Sequence, residues 1–392
     1  LYGSDAANGV IQIFTKRGLP GSSSLSYEGL FGSIVGTEDF LKYGETADLL
    51  YRAGFVQQHR LSGNGGAAGL TYSFAGSLYG DDGFREGNLQ QQYGLRTTVG
   101  ASVSDALRYA GSFGFTGVGF ERDLNANNGL ATFGSLEGGQ EGDLGTLDAG
   151  QLAALGDSIR TLVSLYSYEG DTRRFQTSQQ LDLTPGYGLT LKGVVGLDFR
   201  SSSEQEVQGP AFLQAAGLPA TSSTLIRSQR RFLGLTLEAT GQHQGSVGDW
   251  SFISTVGGQV FRDDDRQDAL TATNIAEGTT SVNNGADQTA VDFDLVVANY
   301  GLYVLENIGF RDRYYLEGGF RADANSAFGD EIGVVGYPKV GVAYAVSSEP
   351  FWAENPTLRA VVPNLKLRAN LGFAGKFPTP FANDRLVTAT PF

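Results

Sequence analysis

Few side chains in this 392-residue sequence have the type and spacing that chemistry needs. The densest carboxylate run is Asp263-Asp264-Asp265 with Asp268, which could offer oxygens to Ca²⁺. No spaced ligand loop with a bidentate Glu follows it, so a solvated acidic stretch opening a long connection is the plainer reading. His59 and His243 are the only two histidines and stand far apart, so neither a metal pair nor an acid–base pair is expected of them. Cys is absent, which removes thiolate metal sites and disulfides. There is no nucleophile elbow, phosphate loop or metalloprotease helix motif, so no catalysis, no cofactor and no metal are expected. Tyr166 and Tyr168 could stack on sugar rings, although tyrosines of a membrane rim are the plainer account. Glu317, Arg321 and Asp323 could touch a ligand, and wall ion pairs that hold strand register are the alternative.

The elements that must position these groups are strands. Gly numbers 56, about twice the usual share, Phe and Tyr number 25 and 17, and 41% of residues are hydrophobic against 18% charged. That balance excludes disorder and collagen. The net charge of −14 repels phosphate backbones and anionic lipid headgroups alike, so nucleic acid is not an expected partner. No run of 18 apolar residues exists, which excludes a helical membrane span and leaves a barrel open.

Alternation with period 2 recurs along the chain. Leu70, Tyr72, Phe74 and Leu78 oppose Thr71, Ser73 and Ser77. Leu107, Tyr109, Phe113 and Phe115 oppose Arg108, Ser112 and Thr116. Leu189, Leu191, Val195, Leu197 and Phe199 oppose Thr190, Lys192, Asp198 and Arg200. Tyr314, Leu316 and Phe320 oppose Glu317, Arg321 and Asp323, and Leu365, Leu367, Leu371 and Phe373 oppose Lys366, Arg368 and Asn370. Thirteen such strands are predicted, near 24–35, 55–63, 70–80, 91–102, 107–119, 173–183, 189–201, 228–243, 250–262, 291–306, 313–326, 336–347 and 364–374.

Their connections alternate short and long, with long segments at 36–54, 120–172, 202–227 and 264–290. A soluble sandwich has no reason to sort its connections this way, whereas an antiparallel outer-membrane barrel keeps short turns at one rim and long loops at the other. The link 348–363 breaks the rule, being long on the short side. Within 120–172, Leu152, Leu155, Ile159, Leu162 and Val163 form a helical stripe that could pack on its own barrel mouth or meet a partner. An odd strand count and the absence of an initiator Met are what a piece of a longer barrel would give.

The opening Leu1-Tyr2-Gly3-Ser4-Asp5-Ala6-Ala7-Asn8-Gly9-Val10-Ile11-Gln12-Ile13-Phe14-Thr15-Lys16-Arg17-Gly18 resembles the end of the plug domain in SusC-like (RagA-like) TonB-dependent outer-membrane receptors. Arg52-Ala53-Gly54-Phe55, Gln58-His59-Arg60-Leu61-Ser62, Tyr72 and Asp81-Asp82-Gly83-Phe84 are similar to the first barrel strands of that family. A third stretch resembles it through Phe310-Arg311-Asp312-Arg313-Tyr314, Arg321-Ala322-Asp323-Ala324-Asn325-Ser326-Ala327-Phe328-Gly329, Tyr337-Pro338-Lys339, Ser348-Glu349-Pro350-Phe351-Trp352 and Leu365-Lys366-Leu367-Arg368. The middle, roughly 120–300, shares only strand rhythm.

The resemblance implies an all-β transmembrane barrel of the 22-stranded type with a plug inside it. Residues 1–18 would be the end of the plug and 19–392 the first thirteen or so strands. It also implies a bacterial outer-membrane importer of a large nutrient such as a glycan or peptide, working with TonB, a SusD-like surface lipoprotein and outer-membrane lipid. A siderophore or cobalamin receptor without a lid, and a structural or adhesive surface barrel, are the alternatives. The sequence names no substrate.

Overall fold

The computed structural model describes residues 21, 23–39, 41–123, 144–326 and 333–376. The family-like opening 1–18 lies outside them. Thirteen strands form one antiparallel sheet in strict sequence order: β1 Ser24–Ile34, β2 Gly54–Ala67, β3 Leu70–Asp81, β4 Leu89–Ser102, β5 Leu107–Glu121, β6 Tyr166–Gly186, β7 Leu189–Gln208, β8 Thr224–Val247, β9 Trp250–Thr273, β10 Asp287–Phe310, β11 Tyr314–Asn325, β12 Val335–Tyr344 and β13 Leu367–Gly372. Among the described residues β1 and β13 do not pair, so the sheet is unclosed, and no second sheet covers either face.

Every strand predicted from alternation is present, but β6 to β10 are longer than expected, at 20 to 24 residues. Large parts of the expected loops 202–227 and 264–290, and the two ends of 120–172, are therefore ladder. At about 3.3 Å per residue, 24 residues extend about 80 Å, well beyond the 9 to 11 residues that cross a bilayer. Beyond the bilayer both faces meet water, so Ser201-Ser202-Ser203-Glu204 can pair as strand without an apolar partner. The hydrophobic period that marks a strand is lost there while the backbone bonds continue.

The turns sort by rim. Two-residue hairpins join β2 to β3 at Ala68 and Gly69 (φ 49° and 81°) and β6 to β7 at Tyr187 and Gly188 (φ 53° and 74°). Positive φ at both positions matches the twist of the flanking strands. On this rim the long link between β12 and β13 carries two short helices, Pro350–Ala353 and Pro356–Val361. Glu349 precedes them and ties them down: it accepts hydrogen bonds from Tyr314 Oη at 2.7 Å and from Arg313 at 3.0 Å.

On the opposite rim, helices α1 (Gly44–Leu50), α2 (Ala149–Leu165) and α3 (Pro210–Ala215) come from three separate connections. α2 starts in a reciprocal capping box, in which Asp148 accepts from the Gln151 amide and Gln151 accepts from the Asp148 amide. Its stripe turns inward. Ile159 and Leu162 are buried with Leu50, Leu144, Phe212 and Leu213, and Leu155 and Val163 pack against them. The stripe thus packs on neighbouring loops of its own chain.

Cross-strand partners share a face. Leu316 stands opposite Ile308 and Val342, and Phe320 opposite Val304 and Pro338, while Glu317 stands opposite Asn307 and Gly341. One face of the sheet is consequently apolar and the other polar. The apolar face is open: Leu302 is 70% exposed, Phe320 50% and Leu316 46%. Aromatic pairs line its lower margin, with Trp250 and Phe310 centred 4.6 Å apart and Tyr314 stacked on Tyr344 at 5.0 Å. Gln179 also lies on this face, with both ends of its amide bonded, to Tyr109 Oη and to Thr177 Oγ1. Glu306 lies there too, between Val304 and Ile308. Such an expanse has no dry core of its own, and hydrocarbon is the medium that suits it.

Leu316→Arg is expected to impair assembly of the full-length barrel; two residues inside the Tyr314 margin, the outward guanidinium costs on the order of 1 kcal/mol, less than the about 2 to 4 kcal/mol of a midplane position. Glu317→Gln, one residue away on the polar face, is expected to assemble normally. Heat-modifiable gel mobility of the two variants checks this, and equal behaviour would contradict the face assignment.

Candidate functional site

Glu317, Arg321 and Asp323 occupy alternate positions of β11 and project from the polar face. Each is bonded across or along the sheet. Lys339 Nζ of β12 donates to Glu317 Oε1 at 2.6 Å, and Arg321 Nε donates to Asp323 Oδ1 at 2.6 Å. Arg321 also donates to Gln259 Oε1 of β9 at 2.8 Å, which requires it to cross β10. Gly301 lies beneath that crossing, where a Cβ would collide with the guanidinium. Gln259 donates onward to Glu238 of β8 at 3.2 Å, and Tyr303 and Thr240 share a hydrogen bond of 2.8 Å. The result is a polar truss from β8 to β12 with Arg321 at its centre. Asp323 is only 1% exposed and Arg321 9%.

Two further Arg–Asp pairs stand on the same face, Arg174 with Asp198 and Arg230 with Asp265, each at 2.5 Å. Sequence reading missed them as pairs, because each joins positions that only the register brings together.

Tyr166 and Tyr168 are at the outer end of β6, and they share the polar face with Arg174, not the apolar face with Phe175. The membrane-rim reading of these two tyrosines is therefore corrected. Tyr166 donates to Glu206 at 3.1 Å and Tyr168 to Glu204 at 2.8 Å. Tyr168 meets Phe120 edge to face at 5.8 Å, and Tyr166 meets Phe212 at 5.7 Å. Burial, then the adjacent carboxylates, push both phenols above their ordinary range, so they remain donors at any physiological pH. Together they make an aromatic and acidic wall beneath the loop helices.

Asp263, Asp264 and Asp265 stand within β9 and not at the mouth of a loop, which corrects that expectation. Successive strand residues alternate faces, so Asp264 points opposite to Asp263 and Asp265, and the three cannot converge on one ion. Asp265 is held by Arg230 and Asp264 by Arg266 at 3.1 Å. His59, on β2, bonds Tyr27 Oη at 2.8 Å, while His243 is on β8. Among the described residues no three His, Cys, Asp or Glu side chains form a group that could hold a metal.

These features define a class: one wall of an antiparallel transmembrane β-barrel, greasy outside and polar inside, with its loops gathered at one mouth. No established family profile matches the chain. It is 21% identical to TonB-dependent receptor P26 of Formosa agariphila over 433 residues, which take in 96% of this chain and 42% of that protein. Its fold matches the RagAB peptide importer in the closed-closed state with a TM-score of 0.74 at 15% identity, over 96% of this chain and 50% of that one. It matches the ferric citrate transporter FecA at 0.51 and 11% identity, over 85% and 44%, and the Escherichia coli outer membrane transporter YddB at 0.52 and 12%, over 91% and 44%. The resemblance read from the sequence is thus borne out: the chain is similar to TonB-dependent receptors and has their barrel fold. It spans about half the length of the relatives it matches.

Arg321→Ala leaves Asp323 buried without its cation and is expected to destabilise the full-length barrel by about 3 kcal/mol. Arg321→Gln combined with Asp323→Asn is expected to recover most of the loss. Urea midpoints of the refolded receptor measure both. A single variant as stable as the wild type would remove the truss from the account.

Proposed function

We propose that this chain forms part of the barrel of a TonB-dependent importer in the bacterial outer membrane, with residues 1–18 closing the plug and residues 19–392 forming the wall. The substrate is a large nutrient, a glycan or peptide, delivered with a SusD-like surface lipoprotein and released inward when TonB acts on the plug. The observation that carries this reading is the fold match to the RagAB peptide importer, 0.74 over 96% of the chain, against 0.51 for the ferric citrate transporter. The polar face supports it. A barrel filled by a plug needs a wet, hydrogen-bonding wall, and the truss around Arg321 and the Tyr166–Tyr168 wall supply one. The relatives the chain matches are receptors and transporters.

The test is uptake by cells carrying the full-length gene, with fluorescent oligopeptides and oligosaccharides offered separately. Uptake of one class, lost on collapse of the proton gradient, and co-purification of a lipid-anchored surface protein are expected. Gradient-independent leakage in liposome swelling would overturn the plugged importer, and growth rescue by a ferric chelate alone would favour a receptor without a lid.

A further inference from the structure

We infer that the outward face just beyond the apolar band binds the phosphate of an anionic outer-leaflet lipid headgroup, through Arg231, Arg262 and Arg266 with Arg173 at the margin. The inference rests on the membrane-barrel reading above, which makes this face the one that lipids surround. Register fixes the positions. Phe175, Phe199, Leu233 and Val296 occupy one cross-strand row, which Asp264 completes on β9. The next row toward the loops is Arg173, Ser201, Arg231, Arg266 and Asp294. Three guanidinium groups on four neighbouring strands therefore stand directly above the last apolar row.

Two features of this patch are unfavourable unless an anion joins it. Arg231 and Arg266 lie directly opposite one another, an arrangement in which like charges destabilise a sheet. Arg262 lies between Leu235 and Ala298, within the apolar margin. An outward Arg costs little only near the headgroups, so Arg262, one row inside the Phe175–Leu233 row, must extend its long side chain past that row toward them. No carboxylate comes within ion-pair distance of Arg231 or Arg262 among the described residues. Arg173 is 3.3 Å from Asp171, and Arg266 is 3.1 Å from Asp264 and 3.5 Å from Asp294. Those pairs are open to solvent, with Arg173 67% and Arg266 60% exposed, and pairs of that kind hold their charges weakly.

The remaining acids, Asp171, Asp268 and Asp292, form the following row on the water side. Counted with the acids that pair them, the four arginines stand against Asp171, Asp264 and Asp294, a balance of 4 − 3 = +1 in a chain whose net charge is −14. Planar guanidinium forks suit phosphate oxygens. A nutrient in the lumen cannot be the occupant, because Asp263 and Asp265, not these arginines, face that side.

The test uses the full-length receptor, extracted in mild detergent and reconstituted in phosphatidylcholine nanodiscs with or without lipid A. Native mass spectrometry is expected to find lipid A retained by the wild type, and the R231Q/R262Q/R266Q variant is expected to lose most of it. Lipid A is expected to raise the melting temperature of the wild type only. Should the triple variant fail to assemble, Arg231→Gln alone is expected to lower retention. Equal retention by wild type and assembled variants would overturn the site. Inorganic phosphate that displaces lipid A, or stabilises the detergent-solubilised receptor as well, would overturn the lipid as ligand. A wild type lacking heat-modifiable mobility would fail before any lipid is added, and that result would overturn the barrel reading itself.

Discussion

A backbone that enters hydrocarbon must satisfy every N–H and C=O within the protein, because no water is there to accept them. That requirement explains why the thirteen strands form one uninterrupted ladder in sequence order, with each strand bonded to the one before and after it. It also explains why side chains, and not the backbone, vary with depth. Once the ladder is fixed, each residue has one choice, outward or inward, and the pleat assigns that choice alternately. Leu316 and Glu317 are adjacent in the chain and face different solvents.

The inner face then has its own problem, since charges on a wall must be neutralised where they stand. Arg321 answers it by reaching over Gly301 to a strand two away, so that β9, β10 and β11 are fastened side chain to side chain as well as by backbone bonds. At the loop rim the solution is hydrophobic: α1 and α3, of seven and six residues and too short to persist alone, pack with the longer α2, and Leu50, Ile159, Leu162, Phe212 and Leu213 are buried among them. The described helices of the β1–β2, β5–β6 and β7–β8 connections consequently pack as one body at that rim.

Much of this was legible in the sequence. The apolar alternation located all thirteen strands, their faces and the rim at which the turns are tight, because burial in lipid imposes a strict period on one residue in two. The legible part ends where lipid ends. The upper halves of β6 to β10 are polar on both sides, so Asp263-Asp264-Asp265 looked like a loop although it is ladder, and Tyr166 looked like a rim residue although its face is the lumenal one. Side-chain partners such as Arg321 with Gln259 or Arg174 with Asp198 depend on register between distant segments, which no local pattern encodes. Helix α3 is six residues long and gave no period to read; Pro210 at its first turn was the one available signal.

This chain contributes no Cys, so single cysteines can be introduced one at a time along β10, from Tyr300 to Phe310, in the full-length receptor, with any cysteine elsewhere first replaced by Ser, and converted to spin labels. Collision with oxygen, which concentrates in the bilayer, measures contact with lipid at each position. The expected profile rises at Tyr300, Leu302, Val304 and Ile308 and falls at Gly301, Tyr303, Leu305 and Asn307. A flat profile, or one with the opposite phase, would contradict the assignment of lipid to the apolar face and with it the barrel.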